Sequence, residues 1–204
     1  MLKRGAVAFE IAGRVFSILV LASAILLGGR SPLLFLWGLW IEEVLSLIGL
    51  SVRQAIARRG GRAAARAASP LALYFAFPAA HIVFVLFFSM VGVTGMFSSS
   101  GAPRIEAPRP AAIVELAAAF AFWNLVDFGR AILRRRRGGP MEAELAGIDR
   151  EARLALFLPH ITIIAGGFCL VMLKLGDWLA WGILAGKIVF ELLSFAVSRD
   201  ASRQ

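Results

Sequence analysis

Two histidines, His81 and His160, and a small set of ionisable residues stand inside apolar stretches of a 204-residue chain. His81 lies in YFAFPAAHIVFVLFF and His160 in LALFLPHITIIAGGF; Glu42, Glu43, Asn124, Asp127, Lys187 and Glu191 occupy comparable runs. Such groups are costly in hydrocarbon unless they meet one another or line a wet cavity. Three chemistries suit the set. A divalent metal such as zinc, held by His81, His160 and a carboxylate from Glu42, Asp127 or Glu191, would turn bound water into a nucleophile, with Glu43 or Glu191 as the base. A haem could be ligated by the two histidines from opposite sides. Alternatively, Lys187, Glu191, Asp127 and the glutamates could pass protons or ions. No H-E-x-x-H is present, so metal ligands would have to be assembled from separate helices. No G-x-S-x-G is present either, which disfavours serine proteolysis.

Helical spacing gives these residues partners. Asn124 and Asp127 are three apart and Lys187 and Glu191 four apart, so each pair shares a helix face. Glu42 and Glu43 are ~100° apart on their helix, so one faces the site and the other turns to a neighbouring helix. Pro78 and Pro159 each lie close before a histidine, where a lost backbone donor predicts a bend. For a single residue, a helix-bridging hydrogen bond or a local ion pair explains a buried polar group as well as a function does: Lys187 with Glu191, or Asp127 with Arg130. So many groups at similar depth favour a common site biased towards the cytoplasmic half.

The elements that must position them are transmembrane helices. Hydrophobic residues make up 59% of the chain and charged ones 17%, against about a quarter charged in soluble domains. The mean hydropathy is +0.79. Apolar runs near 11–29, 33–52, 71–96, 111–133, 154–174 and 178–198 are each about long enough to cross ~30 Å of hydrocarbon. The expectation is an all-α polytopic membrane protein, a bundle of six transmembrane helices forming a single domain over 1–204. Lys3 and Arg4 look like a charged leader, but Arg14 and the lack of a small-residue cleavage site favour a retained helix. Cys169, the single cysteine, reads as a packing residue.

Net charge is +9. Seventeen of the 22 Lys and Arg fall on one side of the expected spans and four on the other (Arg30, Arg104, Arg109 and Lys174), with Lys187 inside a span. The positive-inside rule then predicts a multi-pass membrane protein with both termini cytoplasmic. The arginine-rich loops at 53–69 and 134–153 suit anionic lipid headgroups. Nucleic acid is not expected, because no aromatic residues interleave with the arginines. The proline-containing stretch 98–110 reads as an extended outer loop. A homo-oligomer is compatible with the sequence, which does not fix the number of copies.

Trp40-Ile41-Glu42-Glu43, His81, the segment from Arg153 through His160 to Ile163-Ile164-Ala165-Gly166-Gly167, and the Lys187/Glu191 pair together resemble an uncharacterised family of bacterial integral membrane proteins, domain of unknown function 6498. The resemblance covers most of the chain, and the His160 segment is its specific part. It implies a polytopic protein of the bacterial inner membrane and brings Arg153 and Lys187 into the polar site, beside the Asn124 that depth and helical spacing place there, but it supplies no activity. Family members carry further histidines where this chain has Leu73 or Tyr74, and Asn124. A weaker motif echo is of the CAAX-processing glutamate proteases: Glu42-Glu43 and Phe77-x-x-x-His81 match, whereas Leu47 and Ile164 stand where Arg and Asn or Asp belong. The leading expectation is a metal-dependent intramembrane hydrolase acting on a lipid or membrane peptide. The alternatives are a small proton- or ion-coupled transporter and a bis-histidine haem protein.

Overall fold

A computed structural model describes residues 2–27, 32–58, 75–94, 106–136, 162–166, 168 and 176–201. Among them the regular structure is helical: α1 (Leu2–Leu27), α2 (Pro32–Arg58), α3 (Ala76–Thr94), α4 (Pro110–Arg136), a π-helical turn (Thr162–Gly166) and α5 (Gly176–Ala201). Proline opens both α2 and α4, where its missing N–H has no helical acceptor to lose. At the start of α4 the Arg109 carbonyl takes the amides of Ala112 and Ile113. Pro78 falls in the first turn of α3. There its missing donor is one of the helix's unsatisfied amides, so this proline lies at a helix start rather than at the mid-helix bend expected from the sequence.

Two differences from the expected spans matter for the site. The helix α1 begins at Leu2, not near residue 11, which puts Arg14 in its middle rather than at its mouth. His81 sits near the described start of α3 instead of mid-span. Residues of the expected fifth span are described only over 162–166 and at 168; His160, Pro159, Arg153 and Cys169 lie outside the described residues.

Contacts fix the directions of the helices. Ser17 meets Glu42 and Leu21 meets Gly38, so α1 and α2 are antiparallel. Trp37 reaches Ser89 and Trp40 reaches Pro78, so α2 and α3 are antiparallel as well. Gly38, Gly49 and Arg53 lie beside Leu116, Asn124 and Asp127 in rising order, which makes α2 and α4 parallel. Arg14 and Ser17 of α1 face, in descending order, Glu191 and the Glu42 carboxylate shared with Lys187, so α5 runs antiparallel to α1. The start of α1 and the ends of α2, α4 and α5 therefore share one end of the bundle. Central α2 packs on every other described helix and on the π-helical turn.

The core is built from Leu21, Leu33 to Leu36, Leu39, Val85, Phe88, Phe120 and Ile163. Outside it, large apolar residues are turned outward on α1, α3, α4 and α5: Leu19, Leu26, Val83, Val114, Leu125 and Leu192 are each more than half exposed. Two helical segments, Leu33–Gln54 and Pro110–Leu133, are long and apolar enough to cross a membrane; Ile11–Leu26 and Ala76–Val91 are shorter apolar stretches.

Close approach needs glycine at two positions. A Cβ on Gly13 would come within 2.9 Å of the Trp123 ring, which stacks on Phe9 and Phe16 with centroids 4.8 and 5.3 Å away. A Cβ on Gly49 would stand 2.2 Å from Asn124 Oδ1. Asn124 cannot turn away freely, because its Nδ2 donates to the Phe120 carbonyl at 2.9 Å. Gly49→Val is expected to push α2 and α4 apart and to cost about 1–3 kcal/mol, the range for overpacking. A thermal unfolding midpoint equal to that of the unaltered protein would contradict this account of the interface.

Candidate functional site

The neighbouring carboxylates of α2 diverge, as their ~100° offset requires. Glu43 turns to α3, where its Oε2 lies 2.7 Å from His81 Nδ1, and both side chains are fully buried. The ring is approached along α3 from a fixed frame. Trp40 Nε1 donates to the Pro78 carbonyl at 2.8 Å, one helical turn before His81, and Trp37 Nε1 donates to Ser89 Oγ at 3.3 Å. At this distance a hydrogen bond joins carboxylate and imidazole, so each of the two buried groups has the other as a partner.

Glu42 turns the other way, towards α1 and α5. Its Oε1 accepts from Lys187 Nζ at 3.0 Å and from Ser17 Oγ in a shorter hydrogen bond. Lys187 Nζ also lies 2.5 Å from Glu191 Oε1, one helical turn further along α5. Arg14 Nη1 donates to the Glu191 main-chain carbonyl at 3.0 Å and so ties α1 to the same turn. Lys187 is buried, with 9% of its side chain exposed, and its two carboxylate partners are only slightly more open. Each of the three carboxylates leaves one oxygen buried without a hydrogen-bond partner among the described residues: Glu42 Oε2, Glu43 Oε1 and Glu191 Oε2.

The residues expected to converge form two groups on different sides of α2, Glu42 with Lys187 and Glu191, and Glu43 with His81. Asp127 and Asn124 do not join them. Asp127 Oδ2 pairs with Arg53 Nη1 at 3.4 Å between the parallel helices α2 and α4, and Asn124 lodges on Gly49. Arg130, the other candidate partner of Asp127, lies over the Phe9 ring at 3.4 Å. Among the described residues no three His, Cys, Asp or Glu side chains come together as a metal-binding group. A set completed by His160 would draw on residues outside those described.

Arg14 and Ser17 are absent from the sequence-based candidate set, yet both touch the Glu42–Lys187–Glu191 group. Their signal was available. Arg14 interrupts an apolar run, and Ser17 follows it by three residues, on the same helix face.

The polar interior, the apolar exterior and the divergent glutamate pair can be set beside known proteins. A family model described as a family of unknown function, DUF6498, matches residues 1–204. The chain belongs to this family. No curated protein and no solved structure matches it. Family membership thus carries no chemistry of its own, and what the DUF6498 chain does has to be argued from the array.

Proposed function

We propose that this is a multi-pass inner-membrane protein of six helices whose buried array takes up and releases a proton, the core of a small proton-coupled carrier. One observation carries the reading. Among the described residues, Glu42 and Glu191 share the Lys187 ammonium, whereas the fully buried Glu43 is met by His81, and each of the three carboxylates keeps a buried oxygen without a hydrogen-bond partner. A carboxylate in hydrocarbon is costly to leave charged without a cation beside it, so Glu43 favours a partner that can carry a proton. The Glu43–His81 pair is where a proton fits, since the Oε1 atoms of Glu42 and Glu191 are already taken by Lys187. Outward-facing apolar side chains on four helices support placement in lipid.

The test is proton movement. Purified protein in liposomes, with a pH-sensitive dye inside and an imposed pH gradient, is expected to dissipate the gradient faster than protein-free vesicles. Equal rates would remove the carrier reading. The 2.7 Å approach of Glu43 to His81 favours a second reading, a water-activating pair in an intramembrane hydrolase that acts on lipid or membrane peptide with a divalent metal completed by His160. Stoichiometric zinc in protein purified without chelator would favour that hydrolase over the carrier, and a Soret band would point to haem.

Orientation is a separate expectation. With the start of α1 and the ends of α2, α4 and α5 at one end, and the arginine-rich stretches 53–69 and 134–153 following two of those ends, that end is expected to face the cytoplasm. Reporter fusions at both termini should give cytoplasmic signals. An external signal from either terminus would reverse the orientation.

A further inference from the structure

The Lys187 ammonium occupies a position built like a cation site. Two carboxylate oxygens from different helices, Glu42 Oε1 at 3.0 Å and Glu191 Oε1 at 2.5 Å, hold Nζ, and Ser17 Oγ donates to the same Glu42 oxygen from a third helix. An acidic pair alone would say little. The second observation is that the remaining oxygens, Glu42 Oε2 and Glu191 Oε2, are also buried and accept nothing among the described residues. The carboxylates therefore offer more acceptor capacity than Lys187 uses, in surroundings dry enough that unmet acceptors are costly. Lys187 meets such acceptors through N–H donors and a free primary ammonium would do the same, whereas tetramethylammonium supplies charge alone and sodium would have to be ringed by coordinating oxygens, of which two carboxylates and one hydroxyl offer few.

We propose that Glu42, Glu191 and Ser17 form a monovalent-cation site filled by the chain's own Lys187 ammonium, and that the ligand class it accepts when that side chain is removed is a small primary ammonium. Occupation by a tethered ammonium leaves no vacancy there for sodium. Taken with the carrier reading, on which this consequence rests, a coupling sodium ion would not be held at this cluster. The site itself does not depend on that reading.

The experiment is refilling. Lys187→Ala removes three methylenes and the ammonium, and n-propylammonium supplies the same heavy atoms in free form. Thermal unfolding in lipid nanodiscs is followed by tryptophan fluorescence at constant ionic strength, with n-propylammonium, tetramethylammonium or sodium as the chloride. Lys187→Ala should unfold at a lower temperature than the wild type. n-Propylammonium at ten times its dissociation constant should raise that midpoint by roughly 3–6 °C. Tetramethylammonium and sodium should not, and neither the wild type nor Lys187→Ala combined with Glu42→Gln should respond to n-propylammonium. An equal response to tetramethylammonium or sodium overturns the ligand class, and no response to any cation overturns the site. If Lys187→Ala folds only when n-propylammonium is present during purification, the proposal stands; if it folds neither with nor without it, the proposal falls. Refilling by n-propylammonium alongside a wild type that moves no protons would retain the site and discard the carrier.

Discussion

Lys187→Met should be among the most destabilising single substitutions in the protein, at about 3–5 kcal/mol, because it leaves Glu42 and Glu191 buried with no ammonium between them. The methionine keeps the apolar stem and much of its volume, so the loss is electrostatic rather than a cavity effect. The prediction has an internal control. Adding Glu42→Gln and Glu191→Gln to Lys187→Met removes the stranded charges and should recover most of the loss, since a buried ionic cluster replaced as a unit is close to neutral in stability. Unfolding midpoints in nanodiscs decide the matter. If the triple variant is no more stable than Lys187→Met, the clamp is not what holds α5 against α1 and α2.

The second large effect concerns the other face of α2. Glu43→Gln keeps the shape of the side chain but cannot exchange a proton with His81, so proton flux in liposomes should fall by at least tenfold, on the order of 1.4 kcal/mol in barrier. His81→Gln should do the same from the partner side. Stability should respond differently in the two variants. Glu43→Gln leaves a neutral imidazole that can still accept a hydrogen bond, whereas His81→Gln leaves a wholly buried carboxylate beside an amide and should be the less stable of the two. Flux retained at wild-type rate in both variants would mean that the Glu43–His81 pair only bridges α2 and α3. Flux lost in Lys187→Met but not in these two would move proton exchange to the other cluster.

What the sequence made legible followed from local geometry. The spacing of Lys187 and Glu191 put them on one face of α5, and the structure pairs them at 2.5 Å. The angular offset of Glu42 and Glu43 predicted that they would part, and they do, to α5 with α1 and to α3. Which helix received which carboxylate was not legible, because it depends on register between distant segments. Asp127 shows the limit most clearly. Its depth suggested the histidine site, but the parallel packing of α2 and α4 sets it opposite Arg53. A one-dimensional depth argument has no term for azimuth. Arg14 was missed for a different reason: in a span expected to begin near residue 11, an arginine three residues in reads as part of the helix start, until the helix is seen to extend back to Leu2. Aromatic residues gave little signal individually, although the indoles of Trp37 and Trp40 turn out to orient α3.

The parallel seating of α2 against α4 also sets an order of events during biosynthesis. Arg53 and Asp127 are separated by 74 residues of chain. At 5–20 residues per second a ribosome needs roughly 4–15 s to add them. Throughout that interval the notch at Gly49 has no Asn124 to fill it, and the Trp123 ring that covers Gly13 has not yet been made. The nascent chain must therefore carry an unfinished helical hairpin, α1 with α2, through the synthesis of α3. During that time Glu42 can meet Ser17 but has no Lys187, which is 145 residues further along. An α1–α2 hairpin thus holds Glu42 against Ser17 without Lys187 until 145 more residues are made, and on the membrane reading proposed above that interval is when it most needs the insertion machinery or a chaperone beside it.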